Sequence, residues 1–550
     1  MELREWQSKI AEKIVEALRN NFLVSLQAPT GSGKTLFALY ASFKVKPKVV
    51  FIVRTHNEFF PVYRELSLHF KDKKYGFLVG KSSACVFSSS DVDPQDIYCN
   101  GCEIFNASTI TITDPPKVSL NRLKEEGKKL GFCPYYSLLE SIKSADVVLL
   151  TYPYLFIPWL RESLDINWED YVVVIDEAHN IENISNIEEK KLNKRIVEMA
   201  ISQTKSQNVR LILERLKENI EQIIYSEDKY ILIEKEKLAS IIPPNEEIET
   251  LAEEYEEVRK NMIKNKTVSR NYLGSILRFF DLVNDERVRV FSYSNSLVVK
   301  YIIPSYFTDI LNDEKITYML MSGTMQPLDY LRNIIGITRK ILYVDAEKVM
   351  KNRLTGTYEC LISIDVTTTY SLRSEQMARK YASYLLKIFY NSRKHVLAIF
   401  PSYEFMRIVS KFLNVRYLAE DAETNIEEIM SNLKKEKTII MGIARGKLAE
   451  GIEIVENGSS LISDVAMVGI PYPPIDDYLK IRIEEISKRL KKDISSELIG
   501  IQALIAVKQS IGRAIRGPMD SATVWLLDKR YDSLWWKKEL NCLNARKIKL

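Results

Sequence analysis

The sequence has no long apolar run, no apolar leader and no strong compositional bias. Its longest uncharged stretch, 147–160, is shorter than the roughly 20 residues that a membrane-spanning helix needs, and two prolines interrupt it. The first residues carry charges of both signs, so secretion is not indicated. Hydrophobic residues make up 46% and charged residues 27% of the chain, which excludes a disordered or collagen-like protein. We therefore expect a globular, intracellular protein without a membrane span.

What the chain does have is length and a nearly balanced charge. Its 550 residues exceed the roughly 250 to 300 at which a single hydrophobic core stops growing, so several domains are expected. Lys and Arg total 78 against 73 Asp and Glu, which gives a formal net charge of +5. This balance permits a basic groove for phosphates without proving one.

Strand-like β-branched runs recur in two parts of the chain, each just ahead of turn residues and a helical pattern. They lie at 22–26, 49–53, 147–150 and 172–175, and again at 396–400, 438–443, 465–468 and 523–527. Strands that alternate with helices in this way are typical of parallel α/β layers. The sequence therefore predicts an α/β protein with two parallel-sheet lobes of similar build.

Two segments interrupt this rhythm. At 76–145 the strand pattern stops and four of the six cysteines appear, which predicts a small insert that depends on a staple. At 188–284 Glu, Lys, Ile and Leu recur at helical spacing, which predicts a mostly helical insert. The predicted lobes are then a discontinuous first lobe, formed by 1–75, 146–187 and 285–345, and a second lobe at 346–550.

The strongest chemical signal is a phosphate-binding loop between the first predicted strand and an apolar helix. Small residues in such a loop let backbone N–H groups converge on phosphate oxygens, and the helix N-terminus adds partial positive charge. Lys34 would reach the terminal phosphates of ATP, and the Thr35 hydroxyl would hold Mg²⁺. A glycine-rich turn without a ligand is the alternative, but the flanking strand and helix favour the loop. Its residues are Ala28, Pro29, Thr30, Gly31, Ser32, Gly33, Lys34 and Thr35.

Two carboxylates follow the buried run at 172–175, at the strand end where ligands collect in open α/β sheets. Asp176 is predicted to position Mg²⁺, and Glu177 to orient and polarise the water that attacks the γ-phosphate. His179 is a candidate for coupling this centre to later motifs. The alternative is a helix start with acidic residues in its first turn, which the preceding phosphate loop disfavours.

The cysteines between these two motifs form a candidate metal centre. An intracellular chain disfavours disulfides, so we expect thiolates that bind zinc or a [4Fe–4S] cluster. Zinc ribbons usually supply two close pairs, whereas only one pair is close here, and the last cysteine precedes a proline as ferredoxin cysteines often do. The spacing therefore favours the cluster. The candidate ligands are Cys85, Cys99, Cys102 and Cys133, whereas Cys360 and Cys542 stand alone.

The remaining motifs resemble those of superfamily 2 helicases, and they occur in the same order. With the phosphate loop, the Asp-Glu-Ala-His at 176–179 matches the nucleotide-hydrolysing pair of that superfamily. The segments 54–56 and 322–325 resemble motifs that touch the nucleic-acid backbone and couple hydrolysis to strand contact, and 400–403 and 446–453 resemble motifs that grip the strand and sense nucleotide. The resemblance implies nucleic-acid contacts at Arg54, Thr55, Phe400, Ser402 and Lys447, and nucleotide contacts at Glu450, Gly451 and Glu453.

The last motif places Gln509, Arg513 and Arg516 at helical spacings that bring them to one face. An arginine that the second lobe offers to a γ-phosphate held by the first lobe would stabilise the transition-state charge, so hydrolysis would require lobe closure. The alternative is a solvated basic helix, but its position after a complete first-lobe site favours an arginine finger. Near the N-terminus, Arg4 and Gln7 are candidates to contact adenine.

The four-cysteine insert in this position resembles the XPD helicases and their relatives DinG and the Fanconi anaemia helicase. The resemblance covers nearly the whole chain and implies RecA-like lobes, an iron–sulfur domain at 76–145 and an Arch domain at 188–284. It implies 5′ to 3′ translocation on single-stranded DNA, duplex opening and DNA repair, with ATP, Mg²⁺ and a [4Fe–4S] cluster as cofactors. Lys81, just before Cys85, would hydrogen-bond the cluster or meet phosphate.

The same resemblance sets the expected partners and location. Single-stranded DNA and single/double-strand junctions are the expected substrates, with repair proteins as further partners, no membrane contact and a monomeric state. The short segment after the last motif fits the archaeal form of the family. We therefore expect a cytoplasmic archaeal protein, or a nuclear one in a eukaryote.

Three functions stay open at this point. The chain is a DNA helicase, a nucleic-acid-stimulated translocase or remodeller that does not unwind, or a non-catalytic assembly subunit. Intact Lys34, Asp176, Glu177 and Arg513 argue against the last, since a dead motor has no need of all of them. RNA is another conceivable track, because Asp-Glu-Ala-His occurs in RNA helicases, but those generally lack a four-cysteine insert here. The sequence favours a DNA helicase.

Overall fold

The fold consists of two α/β lobes and two inserts. The computed structural model describes residues 2–89, 92–421, 431, 433, 436–446, 448, 454–456, 458–517 and 519–550. Within these ranges the chain forms two seven-stranded sheets, one four-stranded sheet and one two-stranded ribbon. None of the helices in the same ranges is both long enough and apolar enough to cross a membrane.

The strands are numbered in chain order. They are β1 (Leu23–Gln27), β2 (Lys48–Val53), β3 (Tyr75–Phe77), β4 (Val147–Thr151), β5 (Tyr171–Ile175), β6 (Lys190–Leu192), β7 (Ile231–Leu232), β8 (Val288–Tyr293), β9 (Ser296–Tyr301), β10 (Thr317–Ser322), β11 (Ile341–Asp345), β12 (Thr357–Ser363), β13 (His395–Phe400), β14 (Tyr417–Ala419), β15 (Ile439–Ile443), β16 (Val455–Glu456), β17 (Ser459–Ser460), β18 (Ile462–Val468), β19 (Ser521–Leu527) and β20 (Arg546–Ile548). All eight strands expected from the sequence occur within three residues of their predicted bounds.

The α-helices surround these strands, and several begin at a Ser or Asn whose side chain accepts a backbone N–H of the first turn, as at Ser374 and Ser402. They span Glu5–Arg19, Lys34–Phe43, Phe59–His69, Lys81–Ala84, Pro116–Leu130, Pro134–Lys143, Pro153–Phe156, Pro158–Glu162, Lys194–Gln203, Gln207–Glu221, Lys235–Ala239, Asn245–Lys264, Tyr272–Val283, Ser305–Thr308, Leu328–Asn333, Ala346–Met350, Glu375–Asn391, Tyr403–Ser410, Asp477–Leu490, Ser495–Gly512 and Leu534–Glu539.

The first lobe is built on the parallel sheet β11-β1-β10-β5-β2-β4-β3. Every residue of β4, β5 and β10 is buried. Continuous apolar strands of this kind need cover on both faces of the sheet, which explains why their sequences do not alternate. The carboxyl ends of the parallel strands meet at one edge, so the loops after β1 and β5 are neighbours of the loop after β10.

The second lobe repeats this design. Its sheet has the order β14-β15-β13-β18-β19-β12-β20, and every pair is parallel. The strand β13, which lies between β15 and β18, is buried at every residue. The predicted pair of parallel-sheet lobes is therefore confirmed.

The second lobe also contains a disulfide that the sequence analysis did not expect. Cys360 and Cys542 were predicted to stand alone, but they form a disulfide bond with a Cα–Cα distance of 5.7 Å. The reason is topological: β12, which contains Cys360, pairs with β20, and Cys542 lies just before β20. The bond closes a sequence separation of 182 residues, so it ties the C-terminal segment to the edge of the lobe.

The insert between β3 and β4 contains the remaining cysteines. Its longer helices are Pro116–Leu130 and Pro134–Lys143, and the second of these packs against β3. Prolines at the first position of both helices fix the backbone angle that begins a helix. No strand of a sheet occurs in the described part of the chain between β3 and β4, although β3 itself reaches Phe77, inside the insert predicted at 76–145.

The insert after β5 is helical with a small antiparallel sheet at its base. The sheet has the order β6-β9-β8-β7, and β8 and β9 lie beyond the predicted end of the insert at 284. The hairpin turn between them places Ser294 and Asn295 at positive φ, as a tight two-residue hairpin turn requires. Because β8 and β9 pair with the insert and not with the first-lobe sheet, the boundary at 284 is too early.

A buried ionic contact joins the two inserts. Arg278 Nη1 lies 2.8 Å from the Asp96 carboxylate, and both side chains are buried. The same carboxylate accepts the Tyr255 hydroxyl at 3.0 Å and the Asn271 backbone N–H at 3.1 Å. A buried carboxylate is stable only when it accepts enough hydrogen bonds. The donors around Asp96 provide these bonds. The inserts therefore pack as one unit beside the first lobe.

The second lobe contacts the same unit at the insert sheet. The Asp477 backbone N–H donates to the Tyr230 carbonyl at 3.0 Å, and the Leu232 N–H of β7 donates to the Asp477 carboxylate at 3.1 Å. The helix Asp477–Leu490 also carries Arg482, which forms a buried ion pair with Glu182 at 3.4 Å. This one helix thus joins the second lobe to both the insert and the first lobe.

Candidate functional site

The loop between β1 and the helix Lys34–Phe43 depends on two glycines. Gly31 and Gly33 have φ values of 80° and 90°, which residues other than glycine rarely adopt. A Cβ on Gly31 would lie 2.4 Å from the carbonyl oxygen of Arg516 in the second lobe. Only glycine fits at this position, because the two lobes approach each other there.

The N-terminal helix holds this loop from behind. Its hydrogen bonds run from Arg4 Nη1 to the Gly31 carbonyl at 2.9 Å, from Trp6 Nε1 to the Ser32 carbonyl at 3.1 Å and from Gln7 Nε2 to the Gly33 carbonyl at 3.1 Å. The Gln7 side-chain oxygen also accepts the Arg4 backbone N–H at 2.9 Å, so both ends of this amide are used within the protein. The structure thus places the buried Gln7 beneath the loop, whereas Arg4 lines the cleft, and the predicted contacts of both with adenine stay a prediction.

Lys34 and the carboxylates after β5 form one partly buried charge cluster. Lys34 Nζ lies 3.4 Å from Glu177 Oε1, and the Lys34 side chain is 8% exposed. Burial, assisted by the Glu177 charge, raises the pKa of Asp176. Burial acts in the same direction on Glu177, but the charge and the hydrogen bond of Lys34 outweigh it and lower the pKa of Glu177. Glu177 therefore stays ionised near neutral pH and can accept a hydrogen bond from water.

His179 connects this cluster to two other motifs. Its ring nitrogens lie 2.7 Å from Ser322 Oγ at the end of β10 and 2.7 Å from Gln509 Nε2 in the second lobe. An amide nitrogen can only donate, so His179 accepts from Gln509 and its other nitrogen donates to Ser322. The Ser322 hydroxyl lies 3.5 Å from Glu177 Oε2. A hydrogen-bonded path thus joins the second lobe to Glu177.

Arg513 and Arg516 lie just beyond the end of the helix that contains Gln509. The helix Ser495–Gly512 ends before them, because the N–H groups of Arg513 and Ala514 bond three residues back and tighten the last turn. All three side chains nevertheless line one cleft of about 1630 Å³ with Lys34 and Glu177.

The strand-contact residues are distributed differently from the prediction. Arg54 and Thr55 follow β2 and are exposed, and Arg54 Nη1 donates to Asn180 at 3.4 Å. Phe400 ends β13 and is fully buried between that strand and its covering helices, so its side chain cannot reach a nucleic acid. Ser402 caps the helix Tyr403–Ser410, with its hydroxyl accepting the Phe405 N–H at 3.2 Å.

The rest of the predicted second-lobe contacts cannot be placed. Lys447, Glu450, Gly451 and Glu453 lie outside the residues that the structure describes.

The four predicted cluster ligands line one cavity. Its apolar walls include Phe87, Ile97 and Ile263, and Lys81 lies at its edge with the ammonium 5.6 Å from the ring centre of Tyr135. The ligand candidates that surround it are Cys85, Cys99, Cys102 and Cys133. The four cysteines are widely separated in the sequence, so it is the fold that brings their thiols together around this cavity.

The chemistry of these thiols fits a shared cofactor. Burial raises the pKa of the Cys85 thiol to about 11 and also raises the pKa of Cys133, so each thiolate needs a compensating positive charge. Within the described ranges, no three Cys, His, Asp or Glu side chains come close enough to share a single metal ion. The four thiols nevertheless line one cavity and supply the donors that a shared metal cofactor would need.

Two residues of the site escaped the sequence analysis. Gln326 Nε2 donates to the His179 carbonyl at 2.7 Å, and nothing in its sequence context indicates this role. The Tyr152 hydroxyl donates to the carbonyl oxygens of Asp176 and Glu177 at 2.6 and 2.9 Å. Tyr152 directly follows β4, and its position at the ligand-binding edge of the sheet could have indicated it.

Comparisons with known proteins agree with this geometry. A family model named DEAD_2 matches residues 51–196, and a model of a helicase C-terminal domain matches residues 385–543. The chain is 46% identical to the ATP-dependent DNA helicase XPD of Sulfolobus acidocaldarius over 100% of both sequences. It superposes on a solved XPD helicase with a TM-score of 0.93 at 45% identity, covering 100% of both chains. An apo structure of XPD gives a TM-score of 0.81 at 42% identity, covering 98% of this chain and 100% of that one.

Proposed function

The chain belongs to the XPD family of ATP-dependent DNA helicases, and we propose that it moves 5′ to 3′ on single-stranded DNA and opens duplexes at single/double-strand junctions. The cleft in which Lys34 and Glu177 face Gln509 and Arg513 carries this proposal, because it requires both lobes for hydrolysis. We further propose that it acts in DNA repair as a monomer in the cytoplasm of an archaeal cell, alongside repair proteins. Family membership supports these finer points.

Hydrolysis would use residues from both lobes. The phosphates of ATP would lie on the loop after β1, with the Lys34 ammonium at the terminal phosphates. Glu177 would accept a hydrogen bond from the attacking water and align its oxygen with the γ-phosphorus. Arg513 and Arg516 would stabilise the negative charge that grows in the transition state. Their reach across the cleft makes hydrolysis depend on lobe closure.

Thr35 and Asp176 would hold Mg²⁺. Hydroxyl and carboxylate oxygens are the donors that this ion prefers, and both side chains flank the cleft at the carboxyl edge of the sheet. When bound, the ion neutralises charge on the phosphates. The raised pKa of Asp176 reflects a buried carboxylate for which a nearby cation would provide compensation.

The four thiols around the insert cavity would hold a [4Fe–4S] cluster. When bound, this group crosslinks distant parts of the insert and keeps it rigid beside the strand path. Lys81 would lie next to it, where its charge offsets that of the thiolates or meets a DNA phosphate.

Metal analysis tests the cluster. We expect about four iron atoms per chain and broad visible absorbance in anaerobically purified protein. Cys133→Ser should lose the iron, whereas Cys542→Ser, outside the insert, should keep it. One zinc per chain in place of the iron would contradict the cluster and support a zinc site.

Strand separation tests the helicase. We would measure ATP-dependent unwinding of duplexes with a 5′ or a 3′ single-stranded tail, and expect unwinding from the 5′ tail only. Lys34→Ala should abolish it, whereas Lys44→Ala, an exposed lysine just after the same helix, should not. DNA-stimulated ATP hydrolysis without strand separation would instead establish a translocase, and unwinding from the 3′ tail would overturn the proposed polarity.

A further inference from the structure

The backbone of Glu177 has an unusual conformation. Its φ of 46° and ψ of 40° lie in the left-handed region, which residues other than glycine rarely occupy. Such conformations persist only where the surroundings over-determine them, and they cluster at functional sites. Some group must therefore hold the backbone at Glu177.

The Tyr152 hydroxyl is placed to do this. It lies 2.6 Å from the Asp176 carbonyl and 2.9 Å from the Glu177 carbonyl, so it spans the peptide units on both sides of the Glu177 Cα. The Glu177 carbonyl also accepts the Asn180 side-chain amide at 3.1 Å and the Asn180 backbone N–H at 2.9 Å. These contacts fix the direction of the turn that follows β5.

Tyr152 is itself rigid. It is 4% exposed, its backbone N–H donates to the Val53 carbonyl of β2 at 3.0 Å, and its ring packs edge-on against Phe156 with centroids 5.8 Å apart. A hydroxyl on such a side chain has one position only. It therefore transmits the geometry of the sheet to the turn at Glu177.

The turn decides where the Glu177 carboxylate points. In its left-handed conformation Glu177 reaches Lys34 at 3.4 Å, His179 Nδ1 at 3.3 Å and Ser322 Oγ at 3.5 Å. An ordinary right-handed or extended backbone would turn the side chain away from these partners and from the phosphate loop.

We propose that Tyr152 is a positioning residue for ATP hydrolysis, whose hydroxyl sets the aim of the Glu177 carboxylate. The inference deepens the proposed function, since it rests on Glu177 as the group that orients water. Tyr152 does not line the cleft, so it acts only through the backbone of Asp176 and Glu177. Small misplacements of a catalytic group are costly because the reaction needs a near-attack geometry.

The network reaches further, to the predicted strand-contact motif. Asn180, which donates to the Glu177 carbonyl, accepts from Arg54 at 3.4 Å. The turn held by Tyr152 is therefore connected to the residue expected to touch the DNA backbone. Loss of this network should lower the DNA-stimulated rate of hydrolysis.

Two tyrosine variants test the proposal. Tyr152→Phe removes only the hydroxyl, and we expect its kcat for DNA-stimulated hydrolysis to fall by on the order of tenfold, with the KM for ATP unchanged. Tyr154→Phe is the matched control, because it removes a buried hydroxyl that donates to the Val79 carbonyl at 3.0 Å, away from Glu177. A kcat for Tyr152→Phe within twofold of that of the control would overturn the proposal, as would a change confined to KM.

A double variant separates positioning from general loss of structure. If Tyr152 acts through Glu177, Tyr152→Phe should cause no further loss of kcat in a Glu177→Gln background. An additive loss would contradict this. If Tyr152→Phe does not fold, Asn180→Ala takes its place: a several-fold fall in kcat supports the role of the turn, and wild-type kcat overturns it. A wild-type protein without DNA-stimulated hydrolysis would refute the proposed function itself, a result distinct from all of these.

Discussion

The two lobes have the same architecture and contribute unequally to the chemistry. Each is a seven-stranded parallel sheet. In the first lobe, the ends of β1 and β5 deliver the phosphate loop and the carboxylates of Asp176 and Glu177. In the second lobe, Gln509 lies in the last turn of the helix Ser495–Gly512, and Arg513 follows just after that helix. A repeated fold therefore does not produce a repeated site, because function depends on which residues each lobe places at the cleft.

The largest expected effect comes from the first lobe. Glu177→Gln removes the charge that polarises water, so we expect ATP hydrolysis to fall about a thousandfold. ATP binding should persist, because Lys34 and the loop remain. Phosphate release and nucleotide titration measure the two quantities, with Glu162→Gln on an exposed helix as the control. If this variant loses binding as well as hydrolysis, Glu177 is structural.

The second lobe should affect the rate without affecting binding. Arg513→Ala removes one group that stabilises the transition state, so we expect kcat to fall about a hundredfold with little change in the Kd for ATP. Arg379→Ala in an exposed helical ion pair of the same lobe is the control. A weaker Kd with normal kcat would mean that both lobes bind nucleotide in the ground state, and the division of labour would be lost.

The path between the lobes should have a smaller effect. Gln509→Ala removes one hydrogen bond to His179, and we expect kcat to fall about fivefold and unwinding to fall further. Ser510→Ala is a matched control, since its hydroxyl bonds within its own helix to the Ala506 carbonyl at 2.8 Å. Equal losses of hydrolysis and unwinding would show that Gln509 does not couple the two.

The smallest effect on rate, and the clearest difference in stability, concerns the disulfide. Cys542→Ser should leave hydrolysis unchanged near 25 °C but lower the free energy of unfolding of the second lobe by up to about 5 kcal/mol, the entropy of a loop this long. Denaturant unfolding followed by the fluorescence of Trp525 and Trp536 measures it. Reductant should reproduce the change in the wild type and add nothing to the variant. An unchanged midpoint would show that the bond does not form in solution.

Local patterns determined what the sequence could predict. The strand β1, the glycine-rich loop and the helix that begins at Lys34 are adjacent in the chain, so their arrangement follows from short-range rules. The same is true of Asp176 after β5. The spacing of the four insert cysteines predicted that they share one metal cofactor, and the structure places all four around one cavity.

Tertiary contacts determined the rest. The pairing of β12 with β20 brings Cys360 to Cys542, and no local pattern contains that pairing. Gln7 matched a short motif for adenine, and the motif did not indicate that both ends of its amide would form hydrogen bonds beneath the phosphate loop. Phe400 matched a strand-contact motif, but its strand lies in the middle of a covered sheet. For Gln7 and Phe400 the motif located the residue in the fold but did not indicate the direction of its side chain.

The helix Asp477–Leu490 gives the molecule a mechanical property. Its first residue belongs to the second lobe but bonds directly to Tyr230 and to Leu232 of β7 in the insert sheet. Rotation of the second lobe on closure of the cleft would therefore pull on the insert through these hydrogen bonds. The insert is in turn joined to the cysteine-rich insert through Arg278 and Asp96. The second lobe and both inserts are thereby connected through one series of hydrogen bonds and a buried ion pair.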